Sequence, residues 1–206
     1  MDKTLLIIDL DGTFVSVNTF HKWMKFLFIE ELKKLHFISL IKILIIIFLR
    51  LTKTITHKEM KFRILALSEK QISQKQINRF VDNLDIYVHQ NILQKLQDTS
   101  YRTLLATAAP MLYAKAIKKK YHFDDVIATG YTHEKAWKET IKEEKKNAYM
   151  QMLQRDTFQP KKVILYTDHH DDMPLMKLSD FTYLVRPSEK TKTAALDANI
   201  AFEILQ

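Results

Sequence analysis

The chain has 206 residues, 47% hydrophobic and 27% charged, enough apolar material for a sizeable core and too much charge for a general membrane composition. It has no cysteine, which excludes disulfides, thiolate metal sites and a cysteine nucleophile and fits a reducing cytoplasm. The net charge of +8 favours anionic partners, whether phosphorylated substrates, anionic lipid or nucleic acid, although lysines that only solvate the surface give the same balance.

At the N-terminus, Lys3 is followed by an apolar run that reaches Asp9 too soon for a signal peptide. The run Leu5-Leu6-Ile7-Ile8 is apolar on both faces and reads as a buried parallel strand. It ends in Asp9-Leu10-Asp11-Gly12-Thr13, which delivers two carboxylates to the carboxyl edge of a sheet, where open α/β folds place their ligands. Residues two apart on a strand share a face, so Asp9 and Asp11 can converge. Gly12, one of 2 glycines in the chain, lets the backbone turn away.

A mostly helical region follows, roughly 18 to 98. Asn18 or Thr19 caps a helix through Trp23 toward Leu35, and Phe37 to Leu49 is a second, apolar on nearly every face. Thr56 starts a third, Ser73 caps a fourth, and Val88 to Leu96 leads back to the sheet. The second half alternates. Strands are expected at Tyr101 to Thr107, Val126 to Thr129, Lys162 to Thr167 and Tyr183 to Val185, with a last edge strand at Ala201 to Leu205. Helices are expected at Pro110 to Lys120, Glu139 to Leu153 and around Pro174 to Leu178. The alternation implies a parallel sheet with helices on both faces, an α/β three-layer core. The helical block is then an insertion after the first strand.

Strand ends carrying Asp9 and Asp11, Thr107, and Asp168 and Asp172 lie on one edge of such a sheet and can form one site. Four carboxylates held together need a cation, and hard oxygen ligands suit Mg²⁺. Lys145 or Lys146 adds positive charge. Such a set fits phosphoryl transfer, in which positioning and charge neutralisation supply most of the catalysis. The run Asp168-His169-His170-Asp171-Asp172 also has the residue types of a transition-metal cluster, but adjacent side chains rarely converge on one ion.

The chain resembles the haloacid dehalogenase-like phosphohydrolases, specifically the phosphoserine-phosphatase-like branch. Asp9-Leu10-Asp11-Gly12-Thr13 matches the family's first motif. Leu105-Ala106-Thr107 before Ala108-Ala109-Pro110 is similar to the second, and Glu143-Glu144-Lys145-Lys146 to the third. Tyr166-Thr167-Asp168 through Asp172-Met173-Pro174 resembles the fourth, with Thr167 for the usual Gly and His169 for the usual Ser. The glycine that usually precedes the third-motif lysine is absent. Lys145 is preferred because it follows Glu143-Glu144.

The resemblance implies a Rossmann-like core of residues 1–17 and 88–206 with a helical cap at 18–87. It implies Asp9 as nucleophile, forming an aspartyl-phosphate, and Asp11 as general acid and base. Thr107 and Lys145 would hold the phosphoryl group. Mg²⁺ would be bound by Asp9, the Asp11 main-chain carbonyl and Asp168, with Asp172 in support. Asp11 needs a raised pKa to act as an acid, which Asp9 and Asp168 can supply electrostatically.

Phe37 to Leu49 is about 20 Å long as a helix, short of a hydrocarbon core of about 30 Å. With Lys33, Lys34, Arg50 and Lys53 around it, it reads as an interfacial or re-entrant helix, or else as cap core or a dimer contact. A weaker likeness is to phosphatidylglycerophosphatase C, which similarly has a hydrophobic segment soon after its first motif and an Arg-Pro strand end, here Val185-Arg186-Pro187. The sequence thus points to a Mg²⁺-dependent phosphomonoester phosphatase of the cytoplasm, peripheral on the inner membrane face. Its substrate is a lipid phosphate or, alternatively, a soluble small metabolite of phosphoserine type. No nucleic-acid partner is expected, because charge alone suggests one and no binding motif does.

Overall fold

The computed structural model describes residues 4–131, 136–156 and 158–206; Lys3 lies outside them. The apolar run at the start forms β1 (Thr4–Ile8), with Leu5 to Ile8 all 1% exposed or less. A strand this apolar on both faces belongs in the middle of a sheet. It pairs in parallel with β2 (Tyr101–Pro110) on one side and β5 (Lys162–Thr167) on the other, with Ile8 opposite Leu105 and Tyr166. With β3 (Asp125–Tyr131), β4 (Trp137–Lys138), β6 (Phe181–Val185) and β7 (Phe202–Leu205), the order is β4-β3-β2-β1-β5-β6-β7. Only the pairing of β3 with β4 is antiparallel among the described strands.

Between β1 and β2 lie α1 (Thr19–Lys33), α2 (Phe37–Leu51), α3 (His57–Gln71), α4 (Gln74–Asp82) and α5 (Gln90–Leu96). Side-chain oxygens of Asn18, Thr56 and Ser73 accept the free amides at the starts of α1, α3 and α4, and Ser73 forms a full capping box with Gln76. After β2 come α6 (Met111–Tyr121), α7 (Glu143–Asp156), α8 (Met173–Met176) and α9 (Glu189–Asp197). The alternation of β1 sorts the layers. Leu6 and Ile8 pack with the helices of the insert and α6, around Trp23, Ile64, Phe80 and Tyr113. Leu5 and Ile7 face Tyr149, Met152, Leu175 and Ala195 from α7, α8 and α9. The result is a three-layer, Rossmann-like α/β fold.

Several expected boundaries move. Pro110 ends β2 and caps α6 in an extended conformation rather than starting the helix. α7 begins at Glu143, not Glu139, because after β4 the chain makes a tight turn at Thr140, with the Ile141 amide donating to the Glu139 carbonyl at 3.0 Å, and turns again at Lys142 with φ 53°. Val88 is not helical. It bridges to Val15, which itself bridges to Asp11, and the helix starts at Gln90. β4 and α9 were not expected at all. The start of α9 is nonetheless an ordinary one, with Ser188 accepting from the Thr191 amide and Glu189 in the first turn.

Candidate active site

The parallel strands deliver their carboxyl ends to one edge. After β1 the chain turns at Gly12, which has φ +80°. A Cβ there would lie 2.3 Å from Oδ2 of Asp168, so the first turn and the end of β5 touch only because this residue has no side chain. Thr13 is buried and its hydroxyl donates to Asp168 Oδ1 at 3.4 Å.

Lys145, in the first turn of α7, is 3% exposed. Its Nζ donates to Asp9 Oδ1 at 2.9 Å and lies 2.5 Å from Asp172 Oδ1. The other Asp172 oxygen accepts from the Thr167 hydroxyl at 2.7 Å. Lys146 turns away, pairing with Glu143 at 2.5 Å on the outer side of the helix. Neighbouring helix positions are about 100° apart, so only one of the two lysines faces the edge.

Thr107 is 1% exposed, at a register irregularity of β2 between Ala106 and Pro110. Its Oγ1 accepts from the Ala109 amide at 2.9 Å. Asp11 accepts from the Thr19 amide at 2.9 Å through Oδ1, and the Thr19 hydroxyl shares a hydrogen bond of 3.0 Å with the buried Tyr113 hydroxyl.

The charge balance is uneven. Burial raises the Asp9 carboxyl well above the usual range. The Lys145 charge opposes this, and Asp172 and Asp168 add to it. Burial also lifts Asp168 to about 6. Burial works against the Lys145 charge, but Asp172 and Asp9 together outweigh it and its pKa is raised. Asp11 is raised as well, and the cause is burial, opposed first by the Thr19 hydrogen bonds. The expectation that Asp9 and Asp168 would raise it electrostatically is therefore corrected. One ammonium stands among four carboxylates, and the donors are hard oxygens. That set fits a small divalent cation such as Mg²⁺.

Asp168 and Asp172 point inward, toward Thr13 and toward Lys145 with Thr167. The intervening residues do not. Ligand atoms of His169, His170 and Asp171 lie within 4.8 Å of one another, with His169 exposed. The Asp171 amide donates to His169 Nδ1 at 3.1 Å.

Lys61, on α3, was not anticipated. It is 5% exposed and donates to the Ala108 carbonyl at 3.2 Å and to Glu139 Oε1, from the segment before α7. The same carbonyl accepts from Thr129 at 2.7 Å. Lys61 is thus tied to the residue after Thr107, and its charge reaches Asp11. The signal available in sequence was its place on the buried stripe of α3 with Ile64 and Ser68.

This edge gathers four carboxylates around a buried ammonium, and comparison with known proteins gives the chain a family. Residues 6–177 match the model of the haloacid dehalogenase-like hydrolases, and the chain belongs to that family. Its fold is shared with a protein of unknown function from Bordetella pertussis Tohama I at 14% identity and TM-score 0.75, covering 98% of each chain. It is shared with an apo phosphoserine phosphatase at 13% identity and TM-score 0.61, covering 100% of this chain and 94% of that one. A phospho-aspartyl intermediate analogue of phosphoserine phosphatase matches at 13% identity and TM-score 0.58, covering 94% and 90%. Identities this low speak for the fold alone, which the chain shares with these phosphoserine phosphatases. No curated protein matches the sequence.

Proposed function

We propose that the protein is a Mg²⁺-dependent phosphomonoester phosphatase that acts through an aspartyl-phosphate on Asp9. Residues 18–87 serve as a cap over a core of 1–17 and 88–206. The observation that carries this reading is the buried set of Asp9, Lys145 and Asp172 beside Asp168 and Asp11, in a chain of this hydrolase family. Mg²⁺ would be held by Asp9, the Asp11 main-chain carbonyl and Asp168, with Asp172 beside them. When bound, it neutralises charge on the phosphoryl oxygens.

A carboxylate oxygen of Asp9 forms the new bond to phosphorus as the bond to the leaving oxygen breaks. Asp11, whose raised pKa favours a held proton at this stage, passes that proton to the leaving oxygen. It then takes a proton from water, whose oxygen attacks phosphorus, releases phosphate and restores Asp9. Lys145 and Thr107 hold the phosphoryl oxygens throughout.

For the substrate, the reading is a lipid phosphate, with a soluble metabolite of phosphoserine type as the alternative. The apolar outer side of α2 favours the lipid. Asp9→Asn tests the chemistry. It should retain the fold and lose at least about 10⁴-fold of aryl phosphate hydrolysis, and rapid quenching of the parent should trap phosphate on Asp9. Near-normal turnover by this variant would rule out the covalent route. Hydrolysis of a phospholipid monoester in mixed micelles, set against free phosphoserine, separates the two substrates.

A further inference from the structure

α2 has two unlike sides. Ser39, Leu40, Ile43 and Ile46 are buried inside the helical insert. On the opposite side Phe37, Ile38, Ile41, Leu44, Phe48 and Leu51 are between 53% and 76% exposed. The steps of four and three from Phe37 to Leu51 keep that side continuous along the helix. Isolated exposed apolar residues are ordinary, but an uninterrupted helix side of large ones marks an interaction surface.

The charge around it chooses the partner. Lys33 and Lys34 pair with Glu30 and Glu31, but between Glu31 and Glu59 there is no further acidic residue, whereas Lys42, Arg50, Lys53 and Lys58 all fall there. Two copies packed on this surface would bring these cations together with no acid in the segment to pair them. A protein partner would need a matching acidic rim, whereas an anionic bilayer offers negative charge all round an apolar interior. Spanning is excluded for α2. Its 15 residues reach about 22 Å against a hydrocarbon core of about 30 Å. Among the described residues no helix is long and apolar enough to cross a membrane.

We infer that the outer side of α2 is a docking surface for an anionic lipid membrane, on which the helix lies in the plane of the headgroups. This rests on the surface alone and not on the phosphatase reading.

The test is sedimentation of the full chain with vesicles of equimolar phosphatidylglycerol and phosphatidylcholine, and with phosphatidylcholine alone. The parent should bind the anionic vesicles and bind the neutral ones more weakly. Lys42→Gln with Lys53→Gln should weaken binding to the anionic vesicles by roughly 25-fold, about fivefold per charge, and leave neutral vesicles unaffected. Ile41→Ser with Leu44→Ser and Phe48→Ser should lose roughly a hundredfold or more on both. Thermal unfolding of each variant is measured alongside. If the serine variant unfolds, the glutamine variant, altered only at two exposed side chains, decides. No binding by the parent overturns the inference. So does equal binding by a folded serine variant, or a parent that dimerises through this surface and ignores vesicles. Vesicle binding by a chain with no phosphatase activity would leave the docking surface standing and remove the catalytic reading instead.

Discussion

Lys145 and Lys61 are both buried at the carboxyl edge of the sheet, and they are anchored in opposite ways. Lys145 stands on α7 and bonds two carboxylates of the sheet layer, with no ion pair to the helical insert among the described residues. Lys61 comes from α3 and crosses to that layer, to the Ala108 carbonyl and the Glu139 carboxylate. The first arrangement is fixed by the fold of the sheet. The second holds only while the insert lies against it. Both lysines can act on charge at this edge, but of the two only Lys61 joins the insert to the sheet layer. Asp9, Thr107 and Lys145 are each 8% exposed or less, while Asp11 and Asp168 beside them are partly exposed.

Chelation should have the largest effect, because it leaves four carboxylates facing one another without a divalent cation. Hydrolysis of an aryl phosphate should fall to background in excess chelator and return with Mg²⁺. The chelated protein should also carry a pH signature. The Asp168 carboxyl is raised from 3.8 to about 6 by burial. The folded state therefore holds that proton more tightly than the unfolded chain. Its contribution costs nothing below the unfolded pKa and becomes a penalty as pH rises through the folded one. In chelator, the parent should lose thermal stability relative to Asp168→Asn as pH climbs from about 4 to 7. Parallel melting curves across that range would contradict the assignment.

Lys145→Ala comes next. It removes the only cation bonded to Asp9 among the described residues, and roughly a 10²–10³-fold drop in kcat/KM is expected. Lys146→Ala, on the outer side of α7, should stay within about twofold. A reversed ranking would mean that the substrate is held from the other side of the helix.

The smallest effect belongs to Lys61. Lys61→Met keeps volume but leaves Glu139 without its cation, and Glu139→Gln leaves Lys61 without its carboxylate. Each single change should lower thermal stability and alter KM several-fold more than kcat, as expected of a contact that sets closure. The double variant should recover part of the stability, with a coupling of about 1–3 kcal/mol. Additive losses would mean that the two side chains are only neighbours.

The two lysines also mark what the sequence discloses. Strand ends are legible because an apolar run that stops abruptly in acids is rarely anything but a buried strand reaching the rim of a sheet, and β1 and β5 fall where their patterns place them. Choosing Lys145 over Lys146 required the phase of a helix whose start is shifted by the turn at Lys142, which the local sequence does not give; the preference came from the resemblance of Glu143-Glu144-Lys145 to the family's third motif. Lys61 was hidden because a lysine in a helical stretch reads as solvated. Its partner, Glu139, is 78 residues away, and nothing local connects them. α2 was legible as apolar but not as two-sided, since which face is covered depends on how α1 and α3 pack. β4 is two residues long, too short for any periodic signal. α9 had a readable start at Ser188 and Glu189 but a weakly amphipathic body.

The central position of β1 bears on how the chain acquires its structure. Its parallel neighbours begin at Tyr101 and Lys162, so of the described strands β1 waits through the longest stretch of chain for a hydrogen-bonding partner. During synthesis the insert emerges whole before β2 exists, and its helices can form from local contacts alone. Until then Leu5 to Ile8 is an unpaired apolar edge on a nascent chain, of the kind that chaperones hold and that aggregates when synthesis outruns collapse. Folding yield, rather than final stability, is therefore where charges placed within β1 would be felt first.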